Sequence, residues 1–356
     1  MRKWGLAMSF NNLAGQHELR RLLSSALEKG RLSHAVLLTG PPGSGKKSWG
    51  KALAQAILCA NRSGAEPCML CSSCRGFLSA SHPDFFLIEP EKRKIKIDQI
   101  RQVRENFYFQ GRKKVCLLDR AEMMTAESAS SLLKILEDPP EGLSFILLVE
   151  KPRDLLDTIQ SRCQRYTLHP LSLTEVTELL TAERCLSADK AALLARISGG
   201  LPGQALALAD DEQFEKRYEE AKTLAYNLAT GCDSAQQLLL WAASLAERED
   251  LVPFLELISL FYRDGLVQNL CRRGERSVKP DQSLSWIDAV APALLEDALL
   301  LINNAVYELN ATNVNRRLLL EKVLILLQRR LSQCRKSSGF ASSRPERPTT
   351  LNPVQI

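Results

Sequence analysis

The chain has 356 residues, of which 45% are hydrophobic and 25% charged, with a formal net charge of +6. That is enough chain for two or three domains, each burying its own core, and the balance excludes a disordered, weakly apolar protein. No apolar run reaches the ~18 residues of a membrane-spanning helix, and the mild positive charge is compatible with a nucleic-acid neighbour without establishing one.

The N-terminal stretch Met1-Arg2-Lys3-Trp4-Gly5-Leu6-Ala7 is basic but lacks a signal-peptide core, which points to the cytoplasm; Met8 is a second candidate start, because the recognisable pattern begins at Phe10. Residues 16–29 carry Leu19, Leu22, Leu23, Ala26 and Leu27 at helical spacing, with Gly30 as the stop. Residues 35–39 are a short apolar strand that enters Gly40-Pro41-Pro42-Gly43-Ser44-Gly45-Lys46, and residues 46–58 read as a helix. Strand, glycine-rich loop and helix are the setting of a phosphate-binding loop. Backbone N–H groups around Gly43, Ser44 and Gly45 can cradle phosphates, and Lys46 can reach their β/γ oxygens. The next residue breaks the pattern. A working loop has Ser or Thr there, whose hydroxyl ligates Mg²⁺; this chain has Lys47, with Ser48 one position late.

Cys59, Cys68, Cys71 and Cys74 follow at the spacing C-x₈-C-x₂-C-x₂-C. Four thiolates suit a closed tetrahedral zinc site with a structural role. An iron–sulfur cluster is the chemical competitor, although nothing else in the sequence suggests redox work. The other cysteines (116, 163, 185, 232, 271 and 334) are expected to be mostly small buried residues. Residues 85–88 are a second strand and residues 97–109 a helix with Ile100, Val103 and Phe107 on one face. The basic clusters Lys92-Arg93-Lys94 with Lys96, and Arg112-Lys113-Lys114, read as solvated loops or strand entries. Residues 115–118 form a third strand ending at Asp119, a carboxylate placed to orient Mg²⁺ through water. Arg120 follows; it cannot accept a proton and so cannot be a catalytic base. Glu122, two positions on, is expected to face elsewhere. Residues 128–137 are a helix stopped by Pro139-Pro140, residues 144–149 a fourth strand, and residues 155–159 a short helix before Ser161-Arg162-Cys163. Alternating strands and helices imply an α/β domain with a mostly parallel sheet covered on both faces.

Beyond residue 170 the strand signals cease. Residues 171–210 read as a small helical unit turning at Gly199-Gly200 and Pro202-Gly203. Residues 211–334 read as a helical bundle, with helices over 234–247, 251–273, 289–309 and 316–333. Residues 335–356 are rich in Ser, Pro, Arg and Thr and read as a disordered tail. There is no tandem repeat.

Together these residues resemble the clamp-loader subunits of bacterial DNA polymerase III, of the AAA+ class, and most nearly the delta prime branch. The resemblance covers about residues 8–334. It rests on Phe10-x-x-Leu13-x-Gly15-Gln16, His34-Ala35, the phosphate loop with its four-cysteine insert, and His82-Pro83-Asp84. It rests also on Ser131-Leu132-Leu133-Lys134-Ile135-Leu136-Glu137-Asp138-Pro139-Pro140, Ser161-Arg162-Cys163, and Asn313-x-Asn315 with Leu318, Leu320 and Glu321.

The resemblance implies an AAA+ domain over 8–170 with a zinc module at 59–74, a lid over 171–210 and a collar over 211–334. It implies that Arg162 is an arginine finger offered in trans to ATP on a neighbouring subunit. It implies gamma/tau and delta subunits as partners, with the sliding clamp and primed DNA reached through the complex. The polymerase holoenzyme would be the setting, with no polymerase site in this chain. Departures from the hydrolysing gamma/tau subunits cluster in one place. Lys47 replaces the magnesium hydroxyl, Arg120 the catalytic Glu, Val149 or Glu150 the sensor 1 Thr, and the sensor 2 arginine falls near Gly203. Mg²⁺ is therefore not expected, ATP or ADP would bind weakly if at all, and hydrolysis by this chain should be weak or absent. The rivals are a gamma/tau-like ATPase motor and a stand-alone zinc-dependent DNA-binding module over residues 59–74; the second is weakened by having only Arg62 and Arg75 nearby.

Overall fold

The computed structural model describes residues 9–105, 113–273, 290–311 and 314–332. They fall into two compact units divided between Asp210 and Asp211. Among the described residues, no helix is long and apolar enough to cross a membrane.

The first unit is built on a five-stranded parallel sheet in the order β2-β3-β4-β1-β5. The strands are β1 (Ala35–Thr39), β2 (Phe85–Ile88), β3 (Lys114–Leu118), β4 (Leu143–Val149) and β5 (Gln164–Thr167). Side chains alternate between faces along a strand. Val36 and Leu38 of β1 join one buried cluster and Ala35 and Leu37 the other, so both sheet faces are core. The first cluster is closed by α1 (His17–Glu28) and α2 (Lys46–Leu58), which contribute Leu23 and Leu53. The second is closed by α4 (Ile97–Glu105), α5 (Ala126–Glu137) and α6 (Asp157–Gln160). Leu37 is 0% exposed, and truncating such a side chain to Ala costs about 2–5 kcal/mol. Helix α2 lies so close to the sheet that a Cβ on Gly50 would sit 2.7 Å from Leu117 Cδ1 and force that side chain to shift.

Several expectations shift. The edge strand β5 was not anticipated: its burial pattern exposes three of four residues and only Tyr166 is buried, too little signal for a strand. A helix α3 (Ser72–Leu78) occupies the cysteine insert. In place of one helix over 155–159 there is a 3-10 turn at Pro152–Asp154, then α6. Phe107, Phe109 and Arg112 lie outside the described residues, so the helix from Ile97 is described only to Glu105. Lys114 is buried within β3 rather than solvated. Lys92 and Arg93 take positive φ in a tight turn closed by Glu91 and Lys94. The scattered cysteines divide: Cys116 is buried, Cys163 half-buried, and Cys185 and Cys232 exposed, while the side chains of Cys271 and Cys334 lie outside the described residues.

Helices α7 (Leu173–Arg184), α8 (Ala188–Ile197) and α9 (Pro202–Ala209) complete the first unit. Ser172 opens α7 with a full capping box to Glu175. The second unit is all helical: α10 (Phe214–Thr230), α11 (Ala235–Ala246), α12 (Leu251–Arg273), α13 (Pro292–Ala311) and α14 (Arg316–Leu331). Helix α10 lies within the stretch expected to be a helical bundle but is not one of the four helices delimited there. Its core packs Tyr218 edge-on to Phe261 at 5.2 Å, and the fully buried Tyr262 hydroxyl donates to the Ala225 carbonyl at 3.1 Å. Arg217 and Arg248 share Asp250, with Asp211 and Glu220 flanking them. Met1 to Met8, Asn313 and the tail over 335–356 lie outside the described residues.

Candidate nucleotide site, cysteine cluster and arginine edge

In open parallel sheets, ligands gather at the carboxyl ends of the strands, and there the phosphate loop joins β1 to α2. Gly43 (φ 80°) and Gly45 (φ 90°) take the left-handed turns that free the loop's N–H groups. Helix α2 starts at Lys46, so its first-turn N–H groups face the same space. The Lys46 ammonium donates to the carbonyls of Gly40 (2.5 Å) and Pro41 (2.9 Å). Burial lowers its pKa, against the opposing pull of Glu150, Glu122 and Asp119. The buried Ser44 hydroxyl has no hydrogen-bond partner. Such an orphan beside a helix N-terminus suits an anionic ligand. The start of α9 closes on this loop: Gly203 N–H donates to the Gly43 carbonyl at 2.8 Å, and a Cβ on Gly43 would meet Gln204 Cγ at 2.9 Å. Where the resemblance looked for a sensor arginine, the chain places backbone against backbone.

The metal position does not fit a divalent ion. Lys47 Nζ sits 2.8 Å from Asp119 Oδ2 and also pairs with Glu89. Burial works to lower the Lys47 pKa, but bonds to Asp119 and Glu89 prevail and raise it. Glu89 escaped the sequence reading. It follows β2, and the register Ile88↔Leu118 brings it beside Asp119, which follows β3. Its only signal was a carboxylate directly after a strand. Ser48 lies half-buried in the first turn of α2.

Arg120 takes a left-handed conformation (φ 54°) and a 3-10 turn follows over Ala121–Met123. Glu122 Oε2 is buried without a hydrogen-bond partner, and the charge of this residue acts on Lys46. Burial raises the Glu122 pKa first, and Glu150 adds to it, while the Glu150 N–H and Lys46 oppose. Val149 is buried at the end of β4 and its carbonyl accepts from Gly40 N–H.

The four cysteine sulfurs of residues 59, 68, 71 and 74 all lie within 4.8 Å of one another. Tetrahedral zinc thiolates, with bonds of ~2.3 Å, need sulfurs about 3.8 Å apart, so the donor set fits a closed four-sulfur metal site. Backbone N–H groups of Cys68, Cys71 and Cys74 donate to the sulfurs of Cys59, Cys68 and Cys71 at 3.3–3.4 Å, as thiolate ligands require. Burial would raise the Cys71 pKa, yet bonds from the N–H groups of Cys74 and Ala60 outweigh it and bring it to about 6, whereas burial, before a metal binds, raises the pKa of Cys59 and Cys74. The His82 motif anchors this insert. Asp84 N–H donates to His82 Nδ1 at 3.1 Å, which leaves Nε2 to donate to Ser73 Oγ at 2.7 Å, while Ser73 donates onward to the Leu58 carbonyl.

Arg162 follows α6 at a different edge of the sheet from Lys47. Its guanidinium donates to Glu137 Oε1 at 2.7 Å and to the Thr158 carbonyl at 3.0 Å. Glu137 closes α5, so the two motifs Ser131–Pro140 and Ser161–Cys163, far apart in sequence, meet at this ion pair. Both side chains remain substantially exposed.

The DNA polymerase III, delta subunit family model matches residues 15–172. The DNA polymerase III subunit delta' of Bacillus subtilis is 34% identical over 256 residues, covering 70% of this chain and 77% of that protein. Its counterpart in Yersinia pestis is 32% identical over 342 residues, covering 91% and 94%. A gamma/tau subunit from Mycobacterium tuberculosis is 33% identical over 211 residues, covering 57% of this chain but 36% of its own length. Among solved structures, a gamma subunit-related protein of Thermotoga maritima has a TM-score of 0.40 at 18% identity, covering 87% and 99%. At 32–34% identity over 77% and 94% of the lengths of these two delta' relatives, this chain belongs to the delta' family of DNA polymerase III subunits.

Proposed function

We propose that this chain serves a DNA polymerase III clamp loader through Arg162 rather than through ATP hydrolysis of its own. The observation that carries the reading is the Lys47–Asp119 ion pair, which ties up the carboxylate that hydrolysis would need. Arg120 offers no base, and the Gly203–Gly43 contact leaves no sensor arginine over the loop. Gly40, Gly43, Ser44, Gly45 and Lys46 would hold the phosphates of ATP or ADP, weakly and without Mg²⁺. Arg162 keeps an exposed guanidinium at the domain edge. Pointed at a neighbouring subunit's ATP, it would stabilise the charge that builds on the transferring phosphoryl group.

In this reading the partners are gamma/tau and delta subunits, and the complex places the sliding clamp on primed DNA. Residues 8–170 form the AAA+ domain, residues 171–210 its lid and residues 211–334 the collar. Zinc fills the four-cysteine site of residues 59–74 and holds the insert's fold; no catalytic position is left open on it. A gamma/tau-like motor is the second reading; Glu122, whose charge acts on Lys46, would be its acid–base group.

The test is Arg162→Ala in a reconstituted loader. ATP hydrolysis should collapse while subunit assembly, measured by gel filtration, is retained. Unchanged hydrolysis by an intact complex would remove the finger role.

A further inference from the structure

We infer that the Lys47 ammonium is a built-in cation that takes the place of the divalent metal at Asp119 and Glu89, so that this site excludes Mg²⁺ and opens to a divalent ion when the ammonium is removed. The inference rests on reading residues 40–46 and Asp119 as a nucleotide-type site; the role of Arg162 does not enter it.

The geometry is specific. Parallel register sets Glu89 and Asp119 side by side at the ends of β2 and β3. Two neighbouring carboxylates repel unless a cation lies between them. Lys47 occupies the first turn of α2, immediately after Lys46, where the metal-binding hydroxyl of a working loop would be. One ammonium reaches both carboxylates, and its three N–H donors allow this. Because the helix tethers it, the ammonium competes from within the molecule, and a free ion must displace it. Lys51, one turn further along α2, adds a second positive charge toward the same pair, and Lys46 a third from the loop. A dication would enter against all of these. The substitution at position 47 is thus more than the loss of a ligand: the new side chain supplies the missing charge. The carboxylates keep their ion pair and the strand ends their spacing without metal.

The test uses Mn²⁺ as the probe, read by electron paramagnetic resonance on the full-length, zinc-loaded chain. The wild type should show no Asp119-dependent Mn²⁺ binding. Lys47→Thr should gain one Mn²⁺ per chain, because two carboxylates and a hydroxyl are oxygen ligands that hard cations accept. Adding Asp119→Asn to that variant should abolish the gain. Lys47→Met, which keeps the side-chain length without the charge, is the second variant should Lys47→Thr fail to fold. Wild-type Mn²⁺ binding that Asp119→Asn removes would overturn the inference, as would folded Lys47 variants that gain no Mn²⁺. ATP turnover by the wild-type chain without Asp119-dependent Mn²⁺ binding would instead defeat the non-hydrolysing reading and leave this inference standing.

Discussion

Lys47 and Arg162 are both basic side chains paired with carboxylates in the same α/β unit, yet their settings differ. Lys47 is clamped by two carboxylates from adjacent strand ends, beside the first turn of α2, and Asp119 is the most buried of the three. Arg162, about as exposed as Lys47, has a single carboxylate partner, Glu137, on the neighbouring helix, itself exposed. An exposed pair of that kind is worth about 0–1 kcal/mol, because water screens it and two long side chains lose freedom in making it. The first charge is committed to its own domain. The second can be exchanged for a stronger anion, such as a phosphate on another subunit, at small cost.

The difference can be broken most severely at Arg162 itself. Arg162→Lys keeps the charge but loses the planar fork that grips phosphate oxygens through two bonds. Single-turnover hydrolysis at the neighbouring site should fall by about 10³-fold or more; near-normal rates would mean that charge alone suffices. Next in size is the cysteine insert. Cys74 is 0% exposed, and Cys74→Ser should release zinc and lower the melting temperature by several degrees, at about 2–4 °C per kcal/mol for a unit of this size. Metal analysis with differential scanning calorimetry checks both, and an unchanged melt would remove the structural role.

Glu137→Gln tests the loose side of the comparison. It should change loader turnover by no more than about fivefold, in keeping with a pair worth ~1 kcal/mol. A collapse as large as that of Arg162→Ala would mean that Glu137 positions the guanidinium rather than merely resting against it.

The smallest effect is expected in the helical unit, where Asp250 is shared by two arginines much as Lys47 is shared by two carboxylates. Hydrogen bonding from Arg248, and then from Arg217, holds the Asp250 pKa below its ordinary value against the opposing effect of burial. A depressed carboxylate stabilises the fold above its unfolded-state pKa of ~3.9 and loses that contribution as pH falls through the lower folded value. Asp250→Asn should therefore melt slightly earlier than wild type at pH 7, and the gap should close below about pH 4. A gap that is constant with pH would show that packing, not charge, is at work.

The loop, Asp119 and the four cysteines were legible because each depends on local spacing. Glu89 was not, because its role depends on which strands pair and in what register, and β2 and β3 are separated by the turn at Glu91–Lys94 and helix α4. The turn that carries Glu122 was not legible either, because it depends on a left-handed Arg120 that no propensity rule favours at a non-glycine residue. Strand β5 was missed because an edge strand with a single buried side chain carries no alternation. Arg162 could be singled out only through its resemblance to the family, since a lone arginine after a short helix has no signature of its own. What folding adds is its partner: Glu137 joins two motifs that lie apart in the chain.

The most direct test of a non-hydrolysing subunit is ATP turnover by the isolated, zinc-loaded chain, measured alone and again after addition of a gamma/tau subunit. Turnover should be absent for the chain alone, with or without clamp and primed DNA, and should appear only in the mixture. Hydrolysis by the isolated chain that clamp and DNA stimulate would contradict the proposed division of labour.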